Sequence, residues 1–229
     1  MVLIISGIMV EVSKSDIKTM RLYVKPPNGK VMVSAPLSID NEDIVRFVHS
    51  KKDWIKRHVQ KFNDIDSPVQ RKYVSGETIS VWGKLYTLHV KYGGKSSLLL
   101  SGKKAVFLTR RGSTTEKREK YIREWYRKQL KKEVALLLPK WEKKTALKVN
   151  SWQTKYMKTR WGSCKTKSKK ICLNVQLAKY PVQCLEYIIL HELIHFIERK
   201  HDARFKNQLD RYMPDWREVK NELNRQALM

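Results

Sequence analysis

Apolar residues change their spacing several times along this chain, and each change marks a candidate element. Met1–Val10 (MVLIISGIMV) is apolar nearly throughout and reads as a buried strand. Extended runs at Ile17–Lys25 and Lys30–Ala35 flank Pro26-Pro27-Asn28-Gly29, whose residue types suit a turn. Spacing then becomes helical over Asp40–Phe62, where Ile44, Phe47, Val48, Ile55, Val59 and Phe62 form one stripe. Ser38 or Asp40 suits the N-cap of that helix, and Glu42 and Asp43 suit its first turn. From Gly76 the period returns to two. Thr78–Trp82 and Leu85–Tyr92 pair about Gly83-Lys84, and Ser97–Leu100 and Ala105–Thr109 add two strands.

The run Gly112-Ser113-Thr114-Thr115 predicts the main internal boundary, between a β-rich region over 1–112 and a second region over 113–229. The second region opens with a long helical pattern, Glu116–Lys148, which Pro139 is predicted to end or kink. Tyr121, Ile122, Trp125, Leu130, Val134, Leu137 and Leu138 make its apolar face. The opposite face is densely basic: Lys117, Arg118, Lys120, Arg123, Arg127, Lys128, Lys131 and Lys132. Strands follow near Ser151–Tyr156 and Lys170–Asn174, joined by a segment containing Arg160-Trp161-Gly162-Ser163-Cys164. A helix starting at Pro181 runs to about Arg199, and Ala203–Tyr212 and Asp215–Gln226 read as two shorter helices. The fold class is α+β, with no repeat evident in the residue spacing.

Composition narrows the classes. A chain of 229 residues that is 41% hydrophobic and 10% aromatic is a folded protein with a real core. Its net charge of +26 is spread along the whole chain, so it belongs to the folded body rather than to a tail. Such a surface attracts nucleic acid, anionic membrane or acidic proteins, and it equally fits a solvated face with no polyanionic partner. Cys164, Cys172 and Cys184 form no CxxC pair and read as reduced thiols. No stretch reaches the ~20 apolar residues of a membrane span. The default is a soluble cytoplasmic protein without a membrane partner.

The chemistry gathers at His191-Glu192-Leu193-Ile194-His195, with His201 six residues on. Histidines at i and i+4 project from one helix face and can share a metal ion, while Glu192 lies offset beside them. Three of the chain's six histidines fall in these eleven residues. The helix that carries them is apolar nearly all round, so three polar groups in a dry interior need a partner, at ~1–3 kcal/mol each if unpaired. Catalytic zinc takes three protein ligands and leaves a fourth position open. His201 is the favoured third ligand and Asp215, twenty residues past His195, the rival. A glycine that metzincins carry is Glu198 here, which argues against that group. With zinc in place, Glu192 acts as general base in peptide-bond hydrolysis.

Through Arg160-Trp161-Gly162-Ser163-Cys164, Leu173-Asn174, Pro181, His191–His195, His201 and Phe205, the sequence resembles the YgjP-like family of M48-type zinc metallopeptidases. The likeness extends upstream through Val31–Pro36, Phe47…Trp54-Ile55 and Gly83…Tyr86, from about residue 17 to the C-terminus. It implies a compact gluzincin-like domain, zinc on His191, His195 and His201, and Glu192 as catalytic base. It also implies distant kinship with SprT and Spartan-type proteases, which digest DNA–protein crosslinks. The 160–164 segment has a structural reading, a glycine turn with a packed Trp161 and a buried thiol. Its functional reading sets Arg160 or Ser163 at the cleft rim, and a fourth ligand at Cys164 is a remote variant. Asn174 joins Arg160 and Ser163 as a candidate substrate-binding residue, because Lys170–Asn174 is expected to be an edge strand that holds the substrate backbone. The competing function is a basic nucleic-acid-binding protein with a structural or vestigial metal site. The two combine in a protease drawn to nucleic acid by its surface.

Overall fold

Two successive residues with positive φ, Ser6 (51°) and Gly7 (76°), fold the apolar N-terminal stretch into a hairpin rather than one buried strand. It pairs β1 (Val2–Ile5) with β2 (Ile8–Ser15). Alternation then buries Ile5, Val10 and Val12 and leaves Val2, Ile4 and Met9 exposed on the other side. β3 (Arg21–Lys25) runs antiparallel to β4 (Lys30–Pro36), and β4 lies parallel to β2, giving the order β1-β2-β4-β3. The predicted helix over 40–62 is two helices, α1 (Asn41–Ser50) and α2 (Lys52–Asn63). Asp40 caps α1 by accepting from Asp43 N at 2.7 Å. Lys51 ends it, its N–H turned back to the carbonyls of Val48 and His49. Ile44, Val48 and Ile55 close a core with Val10, Val12, Val31, Val33 and Ala35.

The structure, a computed structural model, describes residues 1–25, 29–63 and 71–226. Pro26–Asn28 of the expected turn and the side chain of Phe62 lie outside the described residues. The chain forms two compact units, Met1–Gln70 and Arg71–Ala227. The division therefore falls forty-two residues before the expected boundary at Gly112.

The second unit begins with another hairpin, β5 (Thr78–Val81) and β6 (Lys84–Tyr92), turning on Trp82 and Gly83 at φ 49° and 78°. β7 (Ser97–Ser101) and β8 (Lys104–Thr109) complete a sheet of order β5-β6-β8-β7. This sheet is joined to elements a hundred residues later. Trp82 N and Gly83 N donate to Ala178 and Lys179 carbonyls at 3.0 and 3.2 Å, and Ser80 Oγ donates to Lys179 O. Gly112 is consequently a turn inside the second unit, leading into α3 (Thr115–Thr145). Thr114 caps α3, which passes through Pro139 without ending and stops at Ala146, whose φ is 58°. Tyr126 joins the buried side of α3, its hydroxyl donating to Ser80 O at 2.7 Å.

Three short strands follow: β9 (Ser151–Lys155), β10 (Gly162–Lys165) and β11 (Lys170–Asn174). β11 lies in the middle, antiparallel to β10 and parallel to β9. A 3₁₀ turn (Val175–Lys179) leads to α4 (Val182–Ile194), α5 (Ala203–Tyr212) and α6 (Trp216–Gln226). Side chains from β5–β8, α3, β11 and α4–α6 share one core. The two four-stranded sheets follow one plan: two hairpins whose second strands pair in parallel, then helix. That repeat lies in strand pairing rather than residue identity, so spacing along the chain does not reveal it. Among the described residues no helix is long and apolar enough to cross a membrane.

Candidate metal centre

α4 carries its polar motif through an apolar interior. Leu185, Ile189, Leu190, Leu193 and Ile194 are fully buried, each contributing about 1.5–3 kcal/mol by transfer. The i, i+4 spacing brings the rings of His191 and His195 to 4.8 Å between centroids. The helix stops at Ile194, short of the expected Arg199, because its ladder tightens there. Phe196 N and Ile197 N donate only three residues back, to Leu193 and Ile194 carbonyls at 2.9 and 3.0 Å. The chain then turns, and His201 Nε2 comes to 3.0 Å from His191 Nε2. Asp202 fixes this turn by capping α5 through Arg204 N and Phe205 N. Phe205, buried in the core, sets its ring 4.7–4.9 Å from all three imidazoles.

The ligand atoms of His191, His195 and His201 lie within 4.8 Å of one another. A tetrahedral ion with bonds of about 2.0–2.1 Å spaces two nitrogens about 3.3 Å apart, so the cluster is of the right size. Its protonation also fits. Burial, then the fields of His195, His201 and Lys220, push His191 down to about 3, and burial lowers His201 as well. Both rings are thereby held neutral, with lone pairs for a cation. The Glu198 carbonyl can only accept, so the 3.0 Å contact puts the proton of His195 on Nδ1 and frees Nε2. Nδ1 of His191 is buried with no hydrogen-bond partner, which leaves that ring dependent on Nε2 for compensation. Asp215 stands outside the cluster, at the start of α6, where its carbonyl accepts from Glu218 N and Val219 N.

Glu192 is 5% exposed, and burial raises its carboxyl to about 7 against the opposing pull of Cys164 and Arg160. The Cys164 thiol hydrogen-bonds that carboxylate, and burial with the Glu192 charge holds it protonated, up at about 11. The thiol stands outside the histidine cluster, on the side of the Glu192 carboxylate. β10 comes unusually close to α4 at Gly162. A Cβ there would meet Glu192 Oε1 at 2.6 Å and Ile188 Cγ2 at 2.9 Å. Only glycine lets the strand lie against the carboxylate.

Arg160 and Ser163 line the cleft over the cluster, about 380 Å³ in volume. Asn174 does not. It is 2% exposed, donating to Met157 O and Arg160 O at 2.8 and 2.7 Å and accepting from Met157 N and Gln176 N. With its amide saturated inside the protein, Asn174 shapes the loop that presents Arg160 and has nothing left for a substrate. The edge-strand expectation moves likewise. β11 is paired on both sides, and the strand edge beside α4 is that of β10. Arg199 and Thr166 also line the cleft, and the sequence did not single them out. Arg199 follows the motif helix by so little that its place was readable only once the early helix stop was known.

The family model for the YgjP-like metallopeptidase domain matches residues 18–226. The chain belongs to this family. As a YgjP-like metallopeptidase it works with a divalent metal, for which the three histidines are the fitting residues. The YgjP-like chain is also similar to the metallopeptidase zymogen jannalysin of Methanocaldococcus jannaschii, at 25% identity and a TM-score of 0.37, over 41% of this chain and 95% of that one. The metallopeptidase zymogen abylysin of Pyrococcus abyssi is similar at 18% identity and the same TM-score, over 39% and 90%. No curated protein matches the chain.

Proposed function

We propose that this protein hydrolyses peptide bonds with zinc held by His191, His195 and His201 and with Glu192 as general base. The observation that carries the reading is the convergence of three imidazoles beside one buried carboxyl that burial raises to about 7. Zinc in that position supplies Lewis acidity, polarising a carbonyl and lowering the pKa of water to about 7. The chain's own residues do the rest. Glu192 takes the water proton on its carboxylate as the water oxygen bonds to the carbonyl carbon, and returns it to the amide nitrogen as the C–N bond breaks. Cys164 fixes the carboxylate's orientation through its thiol hydrogen. The Glu198 carbonyl holds the His195 ring. The edge of β10 offers backbone groups to an extended peptide, in the role first expected of Lys170–Asn174.

A protein made metal-free by a chelator is expected to stop cleaving an unfolded protein substrate and to recover with added zinc. Undiminished cleavage by protein shown metal-free by mass spectrometry would remove the reading. A pure nucleic-acid binder is less well supported, since such a protein has no use for Glu192 in its position. Recruitment to nucleic acid remains compatible with peptidase chemistry through the exposed Lys117, Lys120, Lys128, Lys131 and Lys132 of α3. Arg123 and Arg127 contribute less to it, being paired with Glu119 and Glu124. The three cysteines are free, which suits action in the reducing cytoplasm.

A further inference from the structure

The cleft over the histidines is lined by two guanidinium groups from different elements. Arg160 enters from the loop before β10, and Arg199 from the segment between α4 and α5. Both are exposed, and neither forms a salt bridge among the described residues. Glu192 is the single carboxylate among the lining residues, and it is buried and committed to Cys164. The nearby Asp202 carboxylate is turned away into the cap of α5. From a third direction Lys220 on α6 adds positive field at His191 and His201. Around this mouth the whole chain carries +26. A bound dication makes the local excess larger still.

A peptide entering such a cleft is sorted by charge. Carboxylates gain two bidentate guanidinium partners and favourable long-range steering, while lysines and arginines meet like charges. Ser163 and Thr166 add hydroxyl donors suited to the same oxygens. We propose that the cleft selects acidic peptide segments, with Arg160 and Arg199 pairing to aspartate or glutamate side chains close to the scissile bond. This rests on the peptidase reading and names its substrate class. Asn174 serves the preference indirectly, as a positioning residue that pins the Arg160 carbonyl.

The test has a cleavage arm and a binding arm. Zinc-loaded wild type is given a random-sequence peptide pool, and the cut sites are read by mass spectrometry. Asp and Glu are expected to be enriched beside the cut, and an Asp-to-Lys change there should lower kcat/KM about tenfold, the scale of one partly desolvated charge pair. In R160E and R199E the ratio of acidic to basic peptide cleavage should fall at least tenfold, and raised salt should shrink it in wild type. Binding is measured separately by anisotropy, using zinc-loaded Glu192→Gln and labelled Asp-rich or Lys-rich peptides of one length. The Asp-rich peptide is expected to bind tighter, and R199E in that background should erase the difference. Equal binding of the two peptides overturns the preference even if cleavage is vigorous. Preferential binding without cleavage by wild type leaves the preference standing and defeats the peptidase reading. A single-stranded oligonucleotide that blocks the cleft, where the Asp-rich peptide does not, would reassign both arginines to phosphates and overturn the proposal.

Discussion

Glu192→Gln is expected to lower the rate of peptide cleavage by about a hundred- to ten-thousand-fold, the usual contribution of a general acid–base group. The amide matches the carboxylate in shape, so Cys164 can still donate to its oxygen and the helix keeps its packing. What disappears is a group that exchanges a proton near neutral pH. Metal content should not change, because the histidine cluster excludes Glu192. The variant also has a stability signature in the metal-free protein. The fold raises the Glu192 carboxyl from 4.5 to about 7 by burial, so it prefers the neutral form. Wild type therefore loses stability as pH rises from 4.5 through about 7, and the glutamine protein has no such loss. At pH 8 the variant is expected to be the more stable of the two, by chemical denaturation. Wild-type cleavage by Glu192→Gln would remove the carboxylate from the mechanism.

Gly162→Ala should strike the same carboxylate from the other side. The added methyl would sit 2.6 Å from Glu192 Oε1 and 2.9 Å from Ile188 Cγ2. Ile188 is wedged in the core, whereas the tip of Glu192 can swing. The expected result is a modest loss of stability, about 1–3 kcal/mol as for other overpacked sites. Activity should fall far more, at least tenfold, because a misplaced base costs rate steeply. Metal affinity should change little, which separates this variant from loss of a ligand. Paired denaturation and kcat/KM measurements check it, and unaltered values for both would mean that β10 does not lie against Glu192 as described.

The metal cluster was legible because its signal is local. One helical turn fixes His191 and His195, and the apolar residues around them announce a buried helix. Proximity favours His201, and the early stop of α4 at Ile194 supplies the physical reason it returns. Longer-range features were illegible for equally physical reasons. Nothing in the spacing of Lys170–Asn174 says whether a strand is central or at an edge, since that depends on whether Gly162–Lys165 pairs with it. Asn174 reads as a cleft residue from its place at the end of an expected edge strand, yet its amide is consumed by Met157, Arg160 and Gln176. Gly162 looked like a turn residue. Its role depends on a helix that starts twenty residues later, at Val182, and no local cue marks so close an approach. The boundary at Gly112 failed because backbone hydrogen bonds from Trp82 and Gly83 reach residues 178 and 179, a pairing no local pattern encodes.

The proposed chemistry depends on which atoms surround the metal. X-ray absorption at the zinc edge, on protein loaded with one equivalent of zinc, reads those atoms directly. Three imidazole nitrogens at about 2.0–2.1 Å and no sulfur at about 2.3 Å is the result expected from His191, His195 and His201 with Cys164 held as a thiol. A sulfur neighbour, or fewer than three imidazoles, would contradict it.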